Sequence, residues 1–215
     1  PAAGESKPRI VSPSEVVGVY GTTARFDRAG FWEVTATARV DGRPLRATAA
    51  FEVQASAQVP APGEPGPRTE NHLPGAEGVP PKAVDSRAEP DGRVPDPELH
   101  GRTVAAAIAS GRPTMVVIST PVYCQSRFCG PITDSVQRLA AQHGERMNFV
   151  HLEVWRDFQG QAVNKAAAEW IYRSPDVDIH EPWVFVLDAG GTITDRFDNV
   201  ASDQELAAAV GRALR

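Results

Sequence analysis

Apolar and polar residues alternate with a period of two between residues 9 and 55, which predicts short antiparallel strands. The clearest alternating run is Phe31–Val40, and a second run follows at Leu45–Val53. Asp41 and Gly42 lie between the two runs and form a typical hairpin signal. About four strands fit into this stretch of the chain.

The sequences RFDRAGFWEVTA and AAFEV within this stretch resemble the second half of an immunoglobulin-like sandwich, of the kind fused to bacterial envelope proteins. The resemblance implies that residues 1–56 form a partial immunoglobulin-like, β-sandwich-like segment. Half a sandwich cannot close a core by itself, so we expect further strands upstream or another packing surface.

Residues 57–97 contain ten prolines and five glycines and few large apolar side chains. This composition predicts an extended, semi-rigid Pro-rich linker. Its later part, Val79–Val84, has a few apolar residues that can lie against a domain surface.

From residue 98 onward, helical and strand-like patterns alternate, in the order αβαβαββα. Helices are predicted at Leu99–Ser110, around Ile132–Ala140, around Ala162–Ile171 and after Ser202, where Ser-Asp-Gln-Glu forms a capping box. Strands are predicted at Met115–Ser119, Phe149–Val154, Trp183–Leu187 and Thr192–Phe197. The last two strands flank Asp188-Ala189-Gly190-Gly191, a hairpin signature.

Charge and hydropathy exclude some functions. The chain has 22 basic and 27 acidic residues and a net charge of -5, without a run of Lys or Arg, so nothing indicates binding to nucleic acid. Its apolar runs are far shorter than the roughly 18 residues of a membrane-spanning helix. The chain begins at Pro1 without a signal segment, and we interpret it as a processed product in which a membrane or lipid anchor would lie upstream.

The candidate chemistry lies in the only two cysteines, Cys124 and Cys129, which stand between a predicted buried strand and the start of a helix. A helix N-terminus presents free N–H groups and a partial positive charge, which stabilise a thiolate and lower the pKa of a thiol. This position therefore favours a reactive sulfur.

The element order, the cysteine pair after the first strand and the proline before the hairpin strand resemble the thioredoxin fold over residues 98–215. The resemblance implies a central mixed sheet flanked by helices, and a cis proline at Pro182 that lies against Cys124 and Cys129 and contacts bound substrate. Tyr123 stands where the family usually has a Trp. We expect Tyr123, Glu181 and Trp183 to contact substrate.

The sequence also departs from that family. Its cysteines are separated by four residues instead of two, and the acid that the family buries on the preceding strand is absent. The wider spacing is similar to that of Sco-type copper proteins, which implies an alternative metal site at Cys124, Cys129 and His180.

Three interpretations of the cysteine pair thus compete: a redox-active dithiol, a structural disulfide in a redox-inactive scaffold, and a copper site. A bridge that closes six residues removes only about 2 kcal/mol of chain entropy, which favours a reversible bridge over a structural one. We therefore expect an extracytoplasmic thiol-disulfide oxidoreductase of the bacterial envelope without a cofactor. Cys124 is the expected nucleophile, Cys129 the resolving residue, and a protein or small-molecule thiol the partner.

Overall fold

The computed structural model describes residues 7–12, 17–172 and 180–215. The chain divides into two compact units, Pro1–Ala57 and Gln58–Arg215, and each is described by itself. Residues 1–6 and 13–16 of the predicted immunoglobulin-like segment lie outside the described residues.

The first unit consists, in its described residues, of two antiparallel pairs of strands. Strand β1 (Lys7–Ser12) pairs with β2 (Val17–Gly21), and β3 (Gly30–Val40) pairs along its whole length with β4 (Arg43–Val53). The β3–β4 turn is the predicted one, with positive φ at Asp41 and Gly42. Each pair is a separate two-stranded sheet, so the sandwich-like packing of residues 1–56 stays a prediction.

The second unit is built on a four-stranded mixed sheet. Strand β5 (Thr114–Ser119) runs parallel to β6 (Asn148–Glu153) and antiparallel to β9 (Trp183–Leu187), and β10 (Ile193–Asp198) pairs with the other side of β9. The strand order is β10-β9-β5-β6. A short ribbon of β7 (Trp155–Asp157) and β8 (Ala162–Val163) follows β6.

Helices cover both faces of this sheet. One core joins the sheet to α1 (Val104–Ala109) and α3 (Lys165–Ile171), and the other joins it to α2 (Cys129–His143) and α4 (Asp203–Ala213). All side chains of β5 and β6 are buried, as expected for strands covered on both faces. The mixed sheet with flanking helices is consistent with the thioredoxin-like fold. The four helices and the four strands of the sheet follow one another in the predicted order, but the β7–β8 ribbon is additional, and Ala162 and Val163, predicted as the start of a helix, form β8.

Local capping sets where these helices begin. The predicted first helix starts later than expected, because the Thr103 side chain accepts a hydrogen bond from the Ala106 N–H and caps α1. Residues Pro97–Leu99 form a separate 3-10 turn. Asn164 caps α3, and the predicted capping box of Ser202 and Glu205 is present at α4.

The structure differs from the linker predicted at residues 57–97, because residues 58–97 belong to the second unit. Val59, Ala83, Val84 and Ala88 are each at most 7% exposed. The composition indicates a stiff backbone, but a proline-rich segment can also pack on a folded surface, as residues 58–97 do.

Specific hydrogen bonds hold this segment in place. The Trp170 indole N–H donates to Thr69 Oγ1 over 2.9 Å, and the Asn164 amide donates to the Ala83 carbonyl over 2.9 Å.

Among the described residues, none of the helices has the length and apolar character that crossing a bilayer requires.

Candidate functional site

Cys124 and Cys129 form a disulfide, with their Cα atoms 6.0 Å apart. Cys129 is the first residue of α2, and Cys124 lies in the loop that leads from β5 to this helix. Cys129 thus stands at the N-terminus of a 15-residue helix and Cys124 shortly before it, as the sequence predicts.

The two sulfurs differ in exposure. Cys129 is fully buried, whereas Cys124 is partly exposed. The Cys129 N–H donates to Cys124 Sγ over 3.4 Å, so an amide of the first helical turn points at the more exposed sulfur. An incoming thiolate can therefore reach Cys124, and the same amide can stabilise negative charge on its sulfur.

The loop before β9 lies beside the disulfide. The Glu181–Pro182 peptide bond is cis, and Pro182 is buried with its carbonyl accepting the Asn199 N–H over 2.8 Å. Ser126, between the two cysteines, donates its hydroxyl to the Glu181 carbonyl over 3.0 Å, and its Oγ lies 3.3 Å from Cys124 Sγ. Ser126 thus connects the cysteine loop to the proline loop.

Glu181 brings a carboxylate to the sulfurs. A Glu181 oxygen and the sulfurs of Cys124 and Cys129 all lie within 4.8 Å of one another. Burial raises the pKa of Glu181, and a hydrogen bond from the Gln125 backbone and the charge of His180 oppose this shift. The site therefore contains an acid whose proton affinity is increased next to the reactive bond.

An aromatic groove lies next to Cys124. Tyr123 stacks on Phe158 with ring centroids 4.3 Å apart, and Trp155 meets Phe158 edge-on at 5.5 Å. These three rings help to line a groove of about 430 Å³. Tyr123 is therefore placed where a substrate can touch it, and its role as a substrate contact stays a prediction.

Trp183 does not line this groove. Only 7% of its surface is exposed, and its ring stacks on Phe185 in the core. Its indole N–H donates to the His180 carbonyl over 2.8 Å. These contacts place Trp183 behind the proline loop, where it can position the loop but offers little surface to a substrate.

His180 is exposed and does not join the cysteines as a ligand set. The described side chains whose donor atoms cluster at the sulfurs are Cys124, Cys129 and Glu181. Both sulfurs are also bonded to each other. The structure therefore does not bring together the three residues of the alternative copper site.

Sequence reasoning missed Ser126, Phe158 and a buried cluster of acids and histidines described below. Phe158 lies in the tight turn between β7 and β8, where no periodic pattern indicates which side chain is covered. Ser126 stands between the cysteines, and its position between two reactive residues is the one signal that marks it.

No protein-family model matches the chain, and no curated protein does either. Among solved structures, the chain is similar to the crystal structure of a thiol:disulfide interchange protein, a thioredoxin family protein from Chlorobium tepidum TLS. The identity is 18% and the TM-score 0.40, with 75% of this chain and 100% of that chain covered. The fold is therefore assigned from the strand order and strand directions of this chain and not from this similarity.

Proposed function

We propose that this protein is a thiol-disulfide oxidoreductase that uses the Cys124–Cys129 pair. One observation carries the proposal: a partly exposed sulfur is bonded to a fully buried one at the first residue of a helix. This arrangement separates a sulfur that partners can attack from a sulfur that only its neighbour can reach.

In the oxidising direction, a substrate thiolate attacks Cys124 Sγ and breaks the Cys124–Cys129 bond, so Cys129 leaves as a thiolate. A second substrate thiolate then attacks the substrate sulfur of the mixed disulfide, and Cys124 leaves. Two electrons pass to the protein, the substrate dithiol becomes a disulfide, and the cysteine pair becomes a dithiol. In the reverse direction, Cys124 attacks a substrate disulfide and Cys129 resolves the intermediate.

The helix N-terminus stabilises the leaving groups of both steps. The partial positive charge of α2 favours a thiolate on Cys129, and the Cys129 N–H supports a thiolate on Cys124. Glu181 is placed to exchange a proton with the sulfur that leaves, because its carboxylate lies within 4.8 Å of both sulfurs.

Substrate contacts are assigned to the two loops beside Cys124. The aromatic groove of Tyr123 and Phe158 suits an apolar side chain of a peptide, and its charged lining residues, Lys82, Arg156 and Asp157, suit a polar neighbour of that side chain. Pro182 and Glu181 would contact the substrate backbone near the reacting sulfur. These features favour a protein thiol as partner.

The proposal includes an extracytoplasmic location. Both cysteines of the chain are held in one disulfide, and disulfides persist in oxidising compartments. Trapping free thiols in intact cells with a membrane-impermeant alkylating reagent, after mild reduction, tests this part.

The decisive test combines a trapping experiment with a redox titration. Reduced Cys129→Ser is mixed with a disulfide-containing peptide; a stable mixed disulfide through Cys124 is expected, since the resolving sulfur is absent. Cys124→Ser is the matched control and should form far less adduct, because Cys129 is buried.

The titration against glutathione separates a redox enzyme from a scaffold. We expect a reduction potential above about -300 mV, the range of labile and catalytic disulfides. A potential below that value, together with equal trapping by both single variants, would contradict the proposed activity.

A further inference from the structure

A second cluster of titratable side chains lies in the core, separate from the disulfide. Asp85 and Asp96 come from the proline-rich segment, His100 follows it directly, and His151 lies on β6. Their side chains are at most 1% exposed. Nothing in the proposed redox reaction uses these four residues.

One donor atom of each residue converges on a common point. His100 Nε2 lies 3.2 Å from Asp85 Oδ2, 3.3 Å from Asp96 Oδ1 and 3.4 Å from His151 Nδ1. His151 Nδ1 also lies 3.3 Å from Asp85 Oδ2. All four donor atoms are within 4.8 Å of one another, so they surround one position and are not arranged as separate pairs.

The hydrogen-bond network of His151 shows which of its nitrogens carries a proton. Thr133 donates its hydroxyl to the Cys129 carbonyl over 2.7 Å, so Ser119 donates to Thr133, and His151 Nε2 donates to Ser119. Nε2 also approaches the Ser119 carbonyl, which can only accept. In neutral His151, Nδ1 therefore presents a lone pair to the Asp85 carboxylate, and this contact is repulsive unless a metal cation lies between the two atoms or the imidazole gains a second proton.

Asp96 supplies an independent observation. Its Oδ1 is buried and has no hydrogen-bond partner among the described residues, although it lies 3.3 Å from His100 Nε2. A buried carboxylate oxygen without a partner is costly. The other oxygen, Oδ2, accepts from the Arg87 guanidinium over 2.6 Å, which fixes the carboxylate with Oδ1 directed at the cluster.

We propose that Asp85, Asp96, His100 and His151 form a structural Zn²⁺ site. Zinc binds four such ligands tetrahedrally at about 2.0–2.1 Å, which separates neighbouring ligand atoms by about 3.3–3.4 Å. The four separations given above are 3.2–3.4 Å. Two imidazoles and two carboxylates suit zinc better than calcium or magnesium, which take six or more oxygen ligands, water included.

Neighbouring groups support the assignment. Arg87 donates to both carboxylates and Ser119 accepts from His151, so three of the four ligands are oriented from outside the site. Four buried ligands leave no open position, which fits a structural metal that fastens the proline-rich segment to the sheet.

The test is the metal content of the full chain, kept oxidised so that the cysteines cannot bind metal. After dialysis against a weak chelator, we expect about one zinc per chain in the wild type. Asp96→Asn should lower the occupancy at least tenfold, whereas Asp91→Asn, which changes an exposed acid five residues away, should retain it. The Cys124→Ser/Cys129→Ser double variant should also retain its zinc.

A second measurement does not depend on how the variants fold. The wild-type chain is stripped of metal and titrated with CoCl₂, and the intense visible absorption of four-coordinate Co²⁺ is expected at one equivalent. If the wild type retains no metal, shows no such absorption and has the same melting temperature with and without ZnCl₂, the cluster is a network of charged histidines and the proposal is overturned.

Discussion

At the scale of single residues, Glu181 is the side chain that most changes the chemistry of the cysteine pair. Its carboxylate lies within 4.8 Å of both sulfurs, and burial raises its pKa. The strand that precedes the cysteines, β5, consists of uncharged residues such as Val117, so it offers no carboxyl group to the sulfurs. A carboxyl group reaches the sulfurs from the proline loop instead.

We expect Glu181→Gln to lower the pKa of the Cys124 thiol by about one. An ionised carboxylate beside a thiolate opposes the loss of the thiol proton, and a neutral amide does not. The rate of alkylation of the reduced protein, measured across pH, should therefore reach its midpoint at a lower pH in the variant. An exposed change, Glu145→Gln, serves as control, and an unchanged midpoint in Glu181→Gln would show that the carboxylate does not act on the sulfur.

Among the elements, the hairpin between β9 and β10 is shaped both by hydrogen bonds within its turn and by the contact of that turn with helix α1. The Asp188 side chain accepts the N–H groups of Gly190 and Thr192, each over 2.9 Å. Gly191 has a φ of 85°, and a Cβ there would lie 2.7 Å from Ile108 in α1. The glycine is thus required both by the turn and by the contact with a helix.

We expect Gly191→Ala to destabilise the protein by about 1–3 kcal/mol, because alanine disfavours positive φ and would press on Ile108. The matched control is Gly211→Ala in α4, where a Cβ meets nothing within 4 Å. That change should raise the free energy of unfolding by up to about 1 kcal/mol. Urea unfolding of the two variants measures both effects, and equal effects of the same sign would show that the site of the glycine is irrelevant.

At the scale of the whole molecule, the proline-rich segment completes the second unit. Gly63 donates a backbone hydrogen bond to Ile193, the first residue of β10, and Gly66 donates to Gly191 in the preceding turn, so the segment covers the start of the outer edge strand. A covered edge strand is protected from pairing with other chains. The Ser86 N–H donates to the buried Glu153 carboxylate over 2.8 Å and fastens the segment at the opposite edge.

We therefore expect residues 58–215 to unfold cooperatively at the same denaturant concentration as the second unit of the full chain. A fragment of residues 98–215 should lack a cooperative transition, because removing the segment exposes the core around Trp170 and the sheet edge. Circular dichroism during urea unfolding compares the two fragments. A cooperative transition of the shorter fragment at the same midpoint would restore the interpretation of residues 57–97 as a linker.

Local sequence patterns were enough to predict the four main strands and four helices of residues 98–215, the cysteine pair at and just before a helix start, and the capping box at Ser202, but not the β7–β8 ribbon. These features depend on contacts between residues close in the chain, which periodicity and capping residues report. Packing between distant parts of the chain brings residues 58–97 onto the sheet, Glu181 to the sulfurs and Asp85 to His151. Such contacts join residues that lie far apart in the chain, and no local pattern encodes which distant surfaces will cover one another.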